Sequence, residues 1–195
     1  MAGERKCIHM KYSSKLPKIW LKINKIIYGK KLYLGGWPFI FRFPGAEVKI
    51  GDMCNINSGF LSNLLGLYQR TIIVARGTGK ILIGDHVGIS GSTIYAREEI
   101  EIGDHTLIGA NCKIIDNDFH PVDPIERMNN DFTQLVTKSV KIGKNVFVGC
   151  NSIILKGTVI GDNCVIGAGS VVHGVFEENT VIAGNPAKVI KRIDL

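Results

Sequence analysis

An aliphatic residue recurs at every sixth position through the last third of this chain: Ile142, Val148, Ile154, Ile160, Ile166 and Val172. The same spacing appears at Ile102, Ile108 and Ile114, at Ile83 and Ile89, and at Ile50 and Ile56. Glycine often follows directly, as at Gly51, Gly84, Gly103, Gly109, Gly143, Gly149, Gly161 and Gly167. The fifth place of the hexad is small or β-branched: Cys54, Val87, Thr93, Thr106, Cys112, Val146, Ser152, Thr158, Cys164 and Ser170. A period of six fits neither a helix nor a lone amphipathic strand, and self-similarity of this kind marks a repeat architecture. It suits a triangular coil with three flat sides, the aliphatic residue pointing into the prism and like residues stacking from coil to coil as parallel strands. Cys54, Cys112 and Cys164 then read as small buried residues rather than redox groups.

The repeat divides the chain. Residues 46–179 form the coiled body, broken by insertions near 61–70 and 116–138. Residues 1–45 are a basic arm, and residues 180–195 leave the coil through Ala183-Gly184-Asn185-Pro186. Long loops ejected from a regular scaffold usually carry function. Within the arm, residues 13–29 have helical spacing. Ser13 or Ser14 can cap the helix, Pro17 suits its first turn and Gly29 can stop it. Leu16, Ile19, Trp20, Ile23, Ile26 and Ile27 share one face, and Lys15, Lys18, Lys22 and Lys25 line the other. Two readings follow: packing on the coil or a neighbouring subunit, or a basic amphipathic helix on an anionic membrane.

The net charge of +7 belongs to the arm. Residues 1–31 hold 9 of the 24 Lys and Arg and a single acid, Glu4, whereas the remainder has 15 bases against 16 acids. A nucleic-acid binder would carry its charge on the folded face, so no nucleic-acid partner is expected. The five cysteines form no CxxC pair and no secreted disulfide framework. The most apolar stretch, residues 32–41, is too short to span a bilayer. These features lead to the expectation of a cytoplasmic protein.

The second insertion opens with Asp116-Asn117-Asp118-Phe119-His120-Pro121-Val122-Asp123-Pro124-Ile125-Glu126-Arg127. Together with Gly88-Ile89-Ser90-Gly91 and Gly184-Asn185-Pro186-Ala187-Lys188, it resembles the hexapeptide-repeat acyltransferases over residues 45–192. The likeness is to the maltose and galactoside O-acetyltransferases and, closer still, to the sugar acetyltransferases of surface-polysaccharide pathways. The resemblance implies a mainly β fold, a left-handed parallel β-helix. It implies acetyl-CoA as co-substrate, a sugar or glycan acceptor, no required metal, and a homotrimer with active sites between subunits. It makes His120 the general base. Imidazole titrates near neutrality, so it can take the proton of an attacking hydroxyl and pass it to the leaving thiolate. No covalent enzyme intermediate is needed.

The same resemblance places Ser90 on the acceptor, with serine standing where relatives carry an amide. Asp118 has three open readings: orienting the imidazole, binding the acceptor, or closing a loop turn. Arg127 is expected to pair with Asp123 or with the neighbouring subunit. Cys150, Ala168, His173, Lys188 and Lys191 fall at CoA-binding positions, His173-Gly174 replacing a common Thr-Lys pair. Rival readings are acetylation of an amino sugar or of serine on the same fold, a zinc carbonic anhydrase, and a non-catalytic scaffold. The zinc enzyme needs three converging histidines. His86 and His105 instead share a corner position after Gly-Asp, where Asn145 and Asn163 follow Gly-Lys and Gly-Asp.

Overall fold

The computed structural model describes residues 15–133 and 135–194. Three parallel sheets run the length of the prism, with seven, eight and six strands. The first face, A, is built from Ile27–Tyr28, Glu47–Ile50, Lys80–Ile83, Glu99–Ile102, Val140–Ile142, Val159–Ile160 and Val175–Phe176. Each coil passes from A to face B and then to face C. Inward residues stack in ladders, for example Ile50, Ile83, Ile102, Ile142 and Ile160 on A, all at most 4% exposed. Each buried isoleucine contributes about 1.5–3 kcal/mol of apolar transfer energy, which holds a chain with only short strands together.

The corner between A and B explains the Gly-Asp-X motif. The glycine lies against the next coil. A Cβ on Gly103 would sit 2.6 Å from the backbone of Gly143. The aspartate carboxylate accepts a backbone N–H from the preceding coil: Asp85 from Asp52 at 2.7 Å, Asp104 from Asp85 at 3.0 Å, Asp162 from Lys144 at 2.7 Å. The third residue turns left-handed: Met53, His86, His105, Asn145, Asn163 and Asn179 all have φ between 52° and 60°. Asparagine tolerates that conformation well. His86 and His105 meet it by stacking ring on ring, 4.6 Å apart. Among the described residues no three groups converge as a metal-ligand set.

The fifth hexad place forms a second polar ladder inside the wall. The Cys54, Cys112 and Cys164 thiols donate to the carbonyls of Gly84, Gly149 and Glu177 at 3.1–3.2 Å. Thr106 and Ser152 do the same to Gly143 and Gly167. Burial pushes the Cys54 and Cys112 thiols up, so they stay protonated and unreactive. One position differs from the sequence reading. Thr93 faces outward, and Ser92 takes the ladder site instead, donating to Gly109 at 2.8 Å. The cause is a register shift at this corner, between Ile108 and Ala110.

The N-terminal region departs further from expectation. The helix α1 spans Lys15–Ile23 rather than 13–29, and Ser13 and Ser14 lie outside the described residues. The chain turns at Lys25, where φ is 53°, and Ile27–Tyr28 joins face A as its first strand. Tyr33–Gly35 and Phe39–Arg42 complete a full coil ahead of residue 46. Leu21 of α1 and Ile26 plug the open end of the prism, and the Trp20 indole donates to the Ile40 carbonyl at 3.0 Å. The inward face is thus Pro17 and Leu21, while Leu16, Ile19 and Ile23 point outward. At the other end, Thr180–Gly184 continues face B, and Ala187–Arg192 folds back antiparallel on it.

Candidate active site

The loop carrying His120 leaves the corner between faces C and A, after Lys113–Ile115 and before Val140–Ile142. Its base is fixed from several directions. Asp116 is fully buried, and its carboxylate accepts the N–H groups of Arg97 and Glu98 at 2.7–3.0 Å. Its carbonyl accepts from Lys138 at 2.9 Å, and Asn117 bridges Thr137 across the loop. The turn follows at once. Asn117 Oδ1 accepts from Phe119 N at 3.0 Å, Phe119 adopts φ 62°, and His120 N donates to the Asp118 carbonyl at 2.7 Å. The Phe119 ring packs 4.8 Å from Tyr95 on face C. A bulky residue at positive φ is strained. The bonds on either side hold it there, and they send the next side chain outward.

His120 is exposed, its ring 5.7 Å from that of Phe132. Beyond it the loop holds itself in place. Arg127 donates to the carbonyls of Pro121 and Val122, both at 2.9 Å, rather than pairing with Asp123. Asp123 instead caps the short helix α2, Pro124–Met128, accepting from Ile125 and Glu126. Asp118 turns its carboxylate to Lys156, a residue of the next coil at the same corner. Both side chains are about three-quarters buried, at 24% and 26% exposure. Lys156 was invisible to sequence reading, because only the fold brings it across 38 positions to Asp118.

Ser90 sits at a different corner, between B and C, at 8% exposure. Its hydroxyl accepts from the Asn57 amide of the preceding coil at 3.3 Å. That amide comes from the strand neighbour in register with Ser90. The first insertion leaves this same corner and climbs the prism. Thr71 donates to Asn57, Asn111 to Gly66, Gln69 to Thr93, and Tyr68 to Asn151. Lys113 Nζ donates to Gln69 at 2.6 Å, and burial holds the Lys113 ammonium below its usual range.

Cys150 and Ala168 lie on the Ser90 corner, joined through Gly169 N donating to the Cys150 carbonyl at 2.9 Å. His173 lies exposed at the His120 corner, two coils above the loop. Lys188 and Lys191 stand exposed on the terminal strand, opposite Ala183 and Val181. A single chain therefore gathers His120, Asp118 and His173 at one corner and Ser90, Cys150 and Ala168 at another, with Lys188 and Lys191 apart on the terminal strand. Two hollows of the single chain, one lined by Glu177, Asn179 and Arg192, the other by Lys25, Arg42 and Glu47, include neither His120 nor Ser90.

The chain is similar to known proteins over most of its length. The bacterial transferase hexapeptide family (six repeats) matches residues 139–174, and the hexapeptide repeat of succinyl-transferase matches residues 99–115. A putative lipopolysaccharide biosynthesis O-acetyl transferase, WbbJ of Escherichia coli, is 38% identical over 159 residues, covering 78% of each chain. Galactoside O-acetyltransferase of Escherichia coli is 38% identical over 102 residues, and the match spans about half of either chain, 52% of this one and 48% of that. The crystal structure of AntD, an N-acyltransferase from Bacillus cereus in complex with dTDP and 3-hydroxybutyryl-CoA, superposes with a TM-score of 0.70 at 25% identity, covering 94% of this chain and 89% of that one.

The fold and these relatives define a class, the acyltransferases built on a left-handed parallel β-helix. This chain belongs to it as a member of the hexapeptide-repeat acetyltransferase family.

Proposed function

We propose that this protein transfers the acetyl group of acetyl-CoA to a hydroxyl of a sugar or glycan in surface-polysaccharide biosynthesis, with His120 as general base. The observation that carries the reading is the over-determined turn that presents an exposed imidazole from an otherwise regular scaffold. His120 takes the hydroxyl proton as the oxygen attacks the thioester carbonyl. The tetrahedral intermediate collapses, the C–S bond breaks, and the thiolate receives that proton. Ser90, backed by the Asn57 amide, and Asp118, held by Lys156, bind the acceptor. Small residues at Cys150 and Ala168 leave room for the pantetheine arm. His173, Lys188 and Lys191 face the nucleotide phosphates, lysine acting there as a point charge.

The division of these residues between two corners favours a homotrimer, in which the His120 corner of one subunit meets the Ser90 corner of the next and CoA lies between them. The helix α1 acts as the anchor, the coils from Ile27 onward as the catalytic body, and residues 180–195 as the terminal clasp. The enzyme works in the cytoplasm, peripheral to the inner membrane face through residues 13–29. An amine acceptor is the second reading, favoured by the likeness to AntD, an N-acyltransferase.

CoA release across a panel of sugars, nucleotide sugars and amino sugars tests the proposal. Turnover on a sugar hydroxyl that falls by about two orders of magnitude or more in His120→Ala is the expected result. Transfer to amines alone would select the second reading, and a fully active His120→Ala would remove His120 as the base.

A further inference from the structure

We propose that the outward face of α1 docks this protein onto an anionic lipid bilayer, with the prism standing on its N-terminal end. Leu16, Ile19 and Ile23 follow one another at helical spacing and are 63%, 52% and 69% exposed. Single exposed apolar residues are ordinary, but an aligned row on a helix whose opposite face is already buried needs a partner. That opposite face, Pro17 and Leu21, is spent on plugging the prism. Lys15 and Lys22 border the row on one side, and both are exposed, as are Lys25, Lys30 and Lys31 beyond it.

The charge around the row identifies the partner. Between Arg5 and Ala46 the chain carries ten bases and no acid. On the later coils several surface cations are paired with acids: Lys49 with Glu47, Lys141 with Glu101, Lys144 with Asp104. The far end of the prism is mixed, with Glu177, Glu178 and Asp194 beside Lys188, Lys191 and Arg192. An apolar row flanked by unmatched lysines fits an interface of acyl chains beneath acidic headgroups.

The placement suits the reaction. The His120 loop leaves the fourth coil and α1 caps the first, so three inter-strand spacings, about 15 Å, plus the thickness of the helix, about 10 Å, separate the loop from the docking plane. A glycan carried on a lipid can span that height. In the proposed trimer, on which this part rests, three parallel prisms put all three helices on one side, and three weak contacts then add as avidity.

Sedimentation of the full chain with large vesicles tests this without any acceptor. Partitioning onto phosphatidylcholine containing roughly a quarter phosphatidylglycerol should exceed that onto phosphatidylcholine alone by about 10-fold and weaken with salt. The triple variant Leu16→Ser, Ile19→Ser, Ile23→Ser should lose about 10-fold of this binding. The variant Lys15→Gln, Lys22→Gln, Lys25→Gln should lose as much or more, together with the salt dependence. Light scattering should give all three proteins the same assembled mass. Unchanged vesicle binding in the triple serine variant would overturn the proposal. So would a fall in its assembled mass, which would make the row a contact between copies. A parent protein that is monomeric yet binds vesicles would overturn the trimer and leave the docking face standing.

Discussion

Two corners of this prism carry histidines, and they use them in opposite ways. At the corner between A and B, His86 and His105 occupy a repeated left-handed position, stacked on one another and followed up the ladder by Asn145 and Asn163. Any residue that tolerates the turn serves there. At the corner between C and A, which carries the exposed His173 two coils on, the repeat is broken by the loop, and His120 stands on that loop with the backbone around it fixed by Asp116, Asn117 and the paired Asp118 and Lys156. A repeated position reports what the scaffold needs. A residue whose surroundings are built for it alone reports chemistry.

Substitutions at the two corners separate scaffold from chemistry. The largest effect is expected at the base of the loop. Asp116→Ala removes a buried carboxylate that accepts from two backbone N–H groups. It should cost about 3 kcal/mol in denaturant unfolding and most of the turnover, because buried charge-assisted bonds are strong and their partners would be stranded. Lys156→Met comes next. It leaves Asp118 unpaired beside the His120 turn, and turnover should drop by about 10-fold while stability falls by about 1 kcal/mol, as the pair retains some solvent. Lys156→Arg should restore most of the rate. The smallest effect belongs to the double variant His86→Asn, His105→Asn, which should melt within about 0.5 kcal/mol of the parent, since asparagine suits the left-handed corner.

The body of the fold was legible because one rule, an inward aliphatic residue at each sixth place, is written in sequence order. Ile142 to Val172 follow it without a gap, and the corner role of His86 and His105 came from the same alignment. The first coil was hidden for two physical reasons. Its A–B corner keeps Gly29 but carries Lys30 where the later coils carry aspartate, and Ile23, Ile26 and Ile27 also satisfy helical spacing, so the helix claimed residues that face A uses. Helical spacing gathered Leu16, Ile19 and Ile23 on the apolar face, but the residue that plugs the prism, Leu21, lies off that face. Around the site, His120 was readable from its loop. Its neighbours were not. The Lys156 contact spans 38 positions and the Asn57 contact 33, each across an insertion of irregular length that erases the register.

The most direct measurement is acetyl transfer, followed as CoA release on the acceptor that the panel identifies, by His120→Ala beside the double corner variant His86→Asn, His105→Asn. The expected result is a loss of about two orders of magnitude or more in kcat for His120→Ala with an unchanged melting temperature, and parental kcat in the corner variant. Parental kcat in His120→Ala, or a comparable loss in the corner variant, would contradict the assignment of chemistry to the broken corner.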